Sequence, residues 1–296
     1  MATYAASIVK ARSCQTDLLD HAEQCSVDPH KLATIGCAVG QQVRVRRNAT
    51  QVGLYTVSEI LTESPDSVVR MGLAGRRRLD CDAEFGAEVD AQATRSDLKE
   101  SEAQTAGEFI ERLRDDGTNT GLIAIAPHGG AIEPHTDQQA EHVATRLAAR
   151  GVSAWRCKGW SLGDDRAGDR WHITSTDIDP ASFPRLATVS SRGFANAVAF
   201  HGLEQPGIIL IGGTAPMTLK EAIRAAVEGA TSASGIAVEI ARPCQRFGGD
   251  DPRNIVNRLT VFSAFGIQLE QSPEARKDHW REIADAVADV YDPLLA

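Results

Sequence analysis

The stretch Gly121-Leu-Ile-Ala-Ile-Ala-Pro-His-Gly-Gly-Ala-Ile-Glu133 decides the fold. An apolar run without charge reads as a strand covered on both faces. Pro127 and the Gly129-Gly130 pair end it abruptly. The turn presents His128 and Glu133 at the carboxyl edge of a sheet, where open α/β folds place ligands. A second run, Asn196-Ala-Val-Ala-Phe-His201-Gly202, ends the same way, in histidine followed by glycine.

Outward from these runs, residues from about 106 onward alternate between helical and strand patterns. Helices are expected over 107–114, 138–149 and 218–227, with a final one behind Ser272-Pro273. Strands are expected over 122–126, 152–156, 172–175, 197–201, 208–211, 236–240 and 265–270. Asp251-Pro252 is expected to open a short helix. Such alternation implies a three-layer α/β/α domain over 106–296, with a central, largely parallel or mixed sheet and helices on both sides. Residues 1–81 differ: 42–46, 53–57 and 67–71 are β-rich and punctuated by turn residues such as Asn48, Gly53 and Pro65. They form a small N-terminal β-domain with a short helix near 17–24. Arg76-Arg77-Arg78 reads as a solvated strand face. Residues 82–105, acidic and weakly periodic, read as a linker or peripheral segment.

The chain has 296 residues and a net charge of −9. Residues 82–118 hold 11 acidic and 4 basic side chains, against 8 and 10 in residues 1–81. That profile argues against a nucleic-acid binder, whose affinity comes mainly from neutralising phosphates. A local basic cluster facing an anionic substrate stays compatible with it. No apolar run is long enough to span a bilayer, and the amino terminus lacks the pattern of a secretion leader. Cytoplasmic residence follows as the expectation. Six cysteines without a Cys-x-x-Cys pair are expected to be reduced and used as small apolar residues.

His128, Glu133 and His201 supply two imidazoles and a carboxylate, a donor set that holds Zn2+ while leaving one position open. Glu270 ends a strand outside that set, so it suits a general base. Each residue has a plainer reading as well. Strand-end histidines are often structural, Glu133 sits where it can serve a helix amino end, and Glu270 has the option of a surface partner. His172, in His172-Ile-Thr-Ser-Thr176, is a candidate third imidazole or substrate contact. Candidate cations for an oxyanion or a substrate carboxylate are Lys158, Arg166, Arg170, Arg185, Arg192 and Arg258, with Arg258 first. Gly212-Gly213-Thr214 lacks the spacing of a phosphate loop.

Taken in order, Pro127-His-Gly-Gly-Ala-Ile-Glu-Pro-His-Thr136, His172-Ile-Thr-Ser-Thr176, Phe200-His-Gly202, Ile211-Gly-Gly213, Asn254-Ile-Val-Asn-Arg258 and Gly266-Ile-Gln-Leu-Glu270 resemble the phage-type poly-γ-glutamate hydrolases. The resemblance covers roughly residues 106–290. It implies a fold similar to zinc metallocarboxypeptidases, zinc at His128, Glu133 and His201, and Glu270 as general base. It also implies an anionic poly-γ-glutamate or γ-glutamyl substrate, which His172, Arg258 and Lys158 are expected to contact. The five-residue step from His128 to Glu133 is longer than carboxypeptidases use, and residues 1–81 lie outside the resemblance. Two other readings stand beside it: a zinc amidase or deacylase of small N-acyl amino acids, and an inactive peptidase-fold binding protein.

Overall fold

Strand pairing, rather than helix packing, organises the chain. The computed structural model describes residues 2–60, 67–163 and 166–295; the turn expected at Pro65 lies outside them. Two units emerge: Met1–Phe109 with Trp160–Pro184, and Ile110–Gly159 with Arg185–Ala296.

The first unit contains strands β1 (Thr3–Lys10), β2 (Gln24–Val27), β3 (Gln42–Arg46), β4 (Val52–Ile60), β5 (Val68–Met71) and β6 (Phe85–Asp90), closed into a barrel in the order β1-β5-β2-β4-β3-β6. Closure leaves no free strand edge. Alternate side chains (Ile8, Val43, Val45, Tyr55, Val57, Val69, Val89) fill the interior. Helices α1 (Thr16–Asp20), α2 (Pro29–Ile35), α3 (Leu73–Arg77) and α4 (Glu100–Ala106) decorate it. The stretch expected to be a linker therefore holds β6, which pairs with both β1 and β3 and closes the barrel.

The arginine cluster also departs from expectation. Arg76 and Arg78 are buried at the end of α3, and only Arg77 is exposed, paired with Asp82. Arg78 donates to the carbonyls of Leu54 and His172 and lies over the Tyr55 ring. Its charge is spread over main-chain acceptors instead of water, a pattern that local sequence does not reveal.

The second unit is built on β7 (Phe109–Arg114), β8 (Leu122–Gly130), β9 (Ser153–Gly159), β10 (Asn196–Gly202), β11 (Ile208–Gly212), β12 (Ala237–Ile240) and β13 (Gly266–Gln271). Their order in the sheet is β12-β11-β13-β10-β8-β9-β7. β8, β9, β10 and β13 run parallel, whereas β11 is antiparallel to β13, so the sheet is mixed. Residues 107–114, expected as a helix, form β7 instead. Glu111 is buried there, accepting from the Trp155 indole and the Arg185 and Leu186 amides. Those partners are distant in sequence, so a charged residue at a buried strand position looked helical. Residues 172–175, expected as a strand, follow the short helix α6 (Ala167–Trp171) in the first unit as irregular chain that enters a turn at 175–177.

Helices α5 (Thr136–Arg146), α8 (Met217–Ala230) and α10 (Pro273–Tyr291) share one core with Leu122, Ala124, Ala126, Val198, Phe200, Ile211, Ile267 and Leu269. The three long helices thus gather on a single face of the sheet. Between them in sequence lie the short helices α6, α7 (Pro184–Ala187) and α9 (Ile255–Arg258). Alternation along each strand sends His201, Gln268 and Glu270 to the opposite face. There the Asn254 side chain at the start of α9 meets Gln268. β8 is the switch point of the sheet: the chain passes to β9 on one side, then returns to β10 on the other. The crevice at the carboxyl ends of such strands is where open sheets bind ligands.

Candidate metal centre

His128 reaches the site through an irregularity. β8 does not stop at Pro127 but runs on to Gly130, with a register shift against β9 between Ala126 and Gly129. Proline has no N–H to donate, so the ladder breaks there and a bulge re-aims the following side chain. Without that shift, His128 would continue the Leu122-Ala124-Ala126 row into the helical face. Gly129 is required by space: a Cβ there would lie 2.4 Å from the Asp137 Cβ. Gly130 turns the chain with φ +73°. The Glu133 amide then donates to the His128 carbonyl at 2.8 Å, folding Glu133 back over the strand end.

The three side chains converge. His128 Nδ1 is 3.1 Å from Glu133 Oε1, His201 Nδ1 is 3.2 Å from His128 Nδ1, and His201 Nδ1 is 3.4 Å from Glu133 Oε2. All three residues are buried, and one donor atom from each lies within 4.8 Å of the others. Ligands held about 2.0–2.2 Å from a tetrahedral zinc stand roughly 3.3–3.6 Å apart, close to these spacings. Among the described residues, and apart from the 3.4 Å approach of His201, Glu133 Oε2 is buried without a hydrogen-bond partner, a costly condition unless a cation completes it. Burial lowers the His201 pKa even against the pull of Glu133, which favours the neutral ring that a metal needs. Burial pushes the Glu133 pKa up, but the neighbouring rings, His128 first, outweigh it and bring it below the usual carboxylate range. The donor set therefore fits a zinc-type cation with a position left open.

Glu270 faces the same side, in register with His201 on the neighbouring strand. Burial and the charge of Glu133 raise its pKa well above the usual range, while Arg276 and the Gln268 hydrogen bond oppose them. Gln268 Nε2 donates to Glu270 Oε1 at 2.8 Å, and Gln268 Oε1 accepts from Asn254 at 2.8 Å. This relay from α9 fixes the carboxylate. On the helical face, Gln139 and Gln271 form a reciprocal amide pair at 2.7 and 2.8 Å, and Gln271 also donates to the His201 carbonyl. The ends of β10 and β13 are thereby tied to α5.

The remaining candidates are dispersed. Lys158, beside Gly129 on β9, is buried in an ion pair with Asp137 at 2.8 Å. Arg258 is exposed at the end of α9, one turn beyond Asn254. His172 belongs to the barrel unit. Gln268 and Arg276 went unnoticed in the sequence. Gln268 carried a weak signal, a polar residue two before Glu270 on the same strand face.

A family model described as poly-gamma-glutamate hydrolase matches residues 95–288. The chain belongs to the poly-gamma-glutamate hydrolase family. The matched span begins after β6, so it leaves the barrel strands outside. The SPbeta prophage-derived protein YoqZ of Bacillus subtilis (strain 168) is 26% identical over 195 residues, 64% of this chain and 61% of that protein. The chain thus spans less than two thirds of that relative's length. A solved bacteriophage poly-gamma-glutamate hydrolase shares 26% identity at TM-score 0.47, covering 62% of this chain and 89% of that one. A zinc-free structure of YNDL gives 20% identity and the same TM-score, covering 62% and 88%.

Proposed function

We propose that this family member is a zinc-dependent hydrolase of γ-glutamyl amide bonds in poly-γ-glutamate or a related anionic isopeptide. The observation that carries the reading is the convergence of His128, Glu133 and His201 beside Glu270 on one sheet face. His128, Glu133 and His201 would hold the zinc, which acidifies water and polarises a carbonyl oxygen when bound. Glu270 takes the proton of the attacking water and returns it to the departing amine. Its raised proton affinity suits the first of these steps, and Gln268 orients it. Arg258 is assigned to a substrate carboxylate, because its helix begins at the Asn254–Gln268 relay. The same reading takes the sheet unit as a metallocarboxypeptidase-like three-layer fold, supported by α9 lying opposite α5, α8 and α10.

Purified protein of known zinc content, incubated with poly-γ-glutamate and separately with small N-acyl amino acids, tests the substrate. Shortening of the polymer with little turnover of the acyl amino acids supports the proposal. Turnover of the small amides alone would replace it with a deacylase.

A further inference from the structure

Arg276 occupies an electrostatically awkward position, since it lies in the first turn of α10, at the helix end that repels cations. It is nevertheless buried, which calls for specific compensation. Its Nη1 donates to the Pro134 carbonyl at 3.3 Å and its Nε to the Gln271 carbonyl at 3.2 Å. The guanidinium also fills the space above Gly202, where a Cβ would lie 2.5 Å from its Nε and Cζ. Pro134, Gly202 and Gln271 are the residues directly following Glu133, His201 and Glu270.

We propose that Arg276 is a positioning residue that locks together the three backbone segments carrying Glu133, His201 and Glu270. A rigid planar fork suits this task, because its donors leave in fixed directions toward separate carbonyls. Lysine would keep the charge but not the span between Pro134 and Gln271. Gly202 is part of the same device: φ there is not in the left-handed region, so alanine is resisted by the guanidinium and not by its own backbone. Because the clash is with a side-chain tip, Gly202→Ala displaces Arg276 while leaving the strand in place.

The inference rests on the zinc reading above, so its test has one arm with metal and one without. Zinc chloride is titrated into chelator-stripped wild type, R276K, R276A, G202A and G202A/R276A, with melting curves confirming folding. Supporting the lock, R276K, R276A and G202A each bind zinc about 10-fold more weakly, and G202A adds nothing to R276A. Wild-type affinity in R276A, or additive losses in the double variant, would overturn it. The metal-free arm follows hydrogen exchange of the Glu133 amide, which is bonded to the His128 carbonyl. That amide exchanges at least about 10-fold faster in R276A and G202A if one hydrogen bond to a charged group held the turn. Unchanged exchange rejects the lock whether or not wild type takes up zinc, and a wild type that ignores zinc rejects only the metal reading.

Discussion

His201 and Glu270 are register partners across the parallel strands β10 and β13, with both side chains on the face opposite the helices. Neighbouring strands lie about 4.8 Å apart, so one hydrogen-bonded step separates a ring of the triad from the carboxylate assigned as base. Neither residue depends on a long loop for its place. A carboxylate held this way should act without holding the cation.

Glu270→Gln is therefore expected to keep zinc while turnover of poly-γ-glutamate falls by about 10²–10⁴-fold. Steady-state kinetics on metal-quantified protein checks this. Full turnover in a zinc-loaded variant would remove Glu270 from the mechanism.

Gln268→Ala should lower kcat by about 10-fold with KM little changed, since it removes a hydrogen bond to a charged group. Zinc content should stay at the wild-type level. An effect confined to KM would move Gln268 from orienting the base to contacting substrate.

Lys158→Met should destabilise the fold by about 3–5 kcal/mol, because it strands the buried carboxylate of Asp137. Denaturant unfolding measures the loss, and the double variant K158M/D137L should recover much of it. A stable K158M with a raised KM would instead return Lys158 to the substrate contacts.

Gly129→Ala should cost about 1–3 kcal/mol through overpacking against Asp137 and the Cys157 carbonyl. The same substitution should also weaken zinc binding, because the bulge that aims His128 ends at this residue. Unaltered melting in G129A would show that the turn relaxes freely.

Much of the sheet was readable because buried parallel strands are uninterrupted apolar runs. Residues 122–126, 197–201 and 208–211 all fall within β8, β10 and β11. His128, Glu133 and His201 stood out because glycine and proline mark where such runs end. What escaped notice depends on partners far along the chain. Glu111 is buried in β7 because Trp155 and the amides of Arg185 and Leu186 satisfy it. Likewise, Arg76 and Arg78 look like solvated charges until the carbonyls around them are known. Arg276 carried one local clue, a cation in the first turn of a helix, but its three backbone neighbours come from separate segments. The bulge at Pro127 was read as a strand end, since sequence alone does not show that pairing resumes at Gly129.

Metal analysis of purified wild type beside H128A, E133A and H201A bears most directly on the central claim. The account predicts one zinc per wild-type chain and loss of tight binding in each variant, with the barrel and sheet still folded. A wild-type protein that takes up no zinc, or an H201A protein that holds it as tightly as wild type, would contradict it.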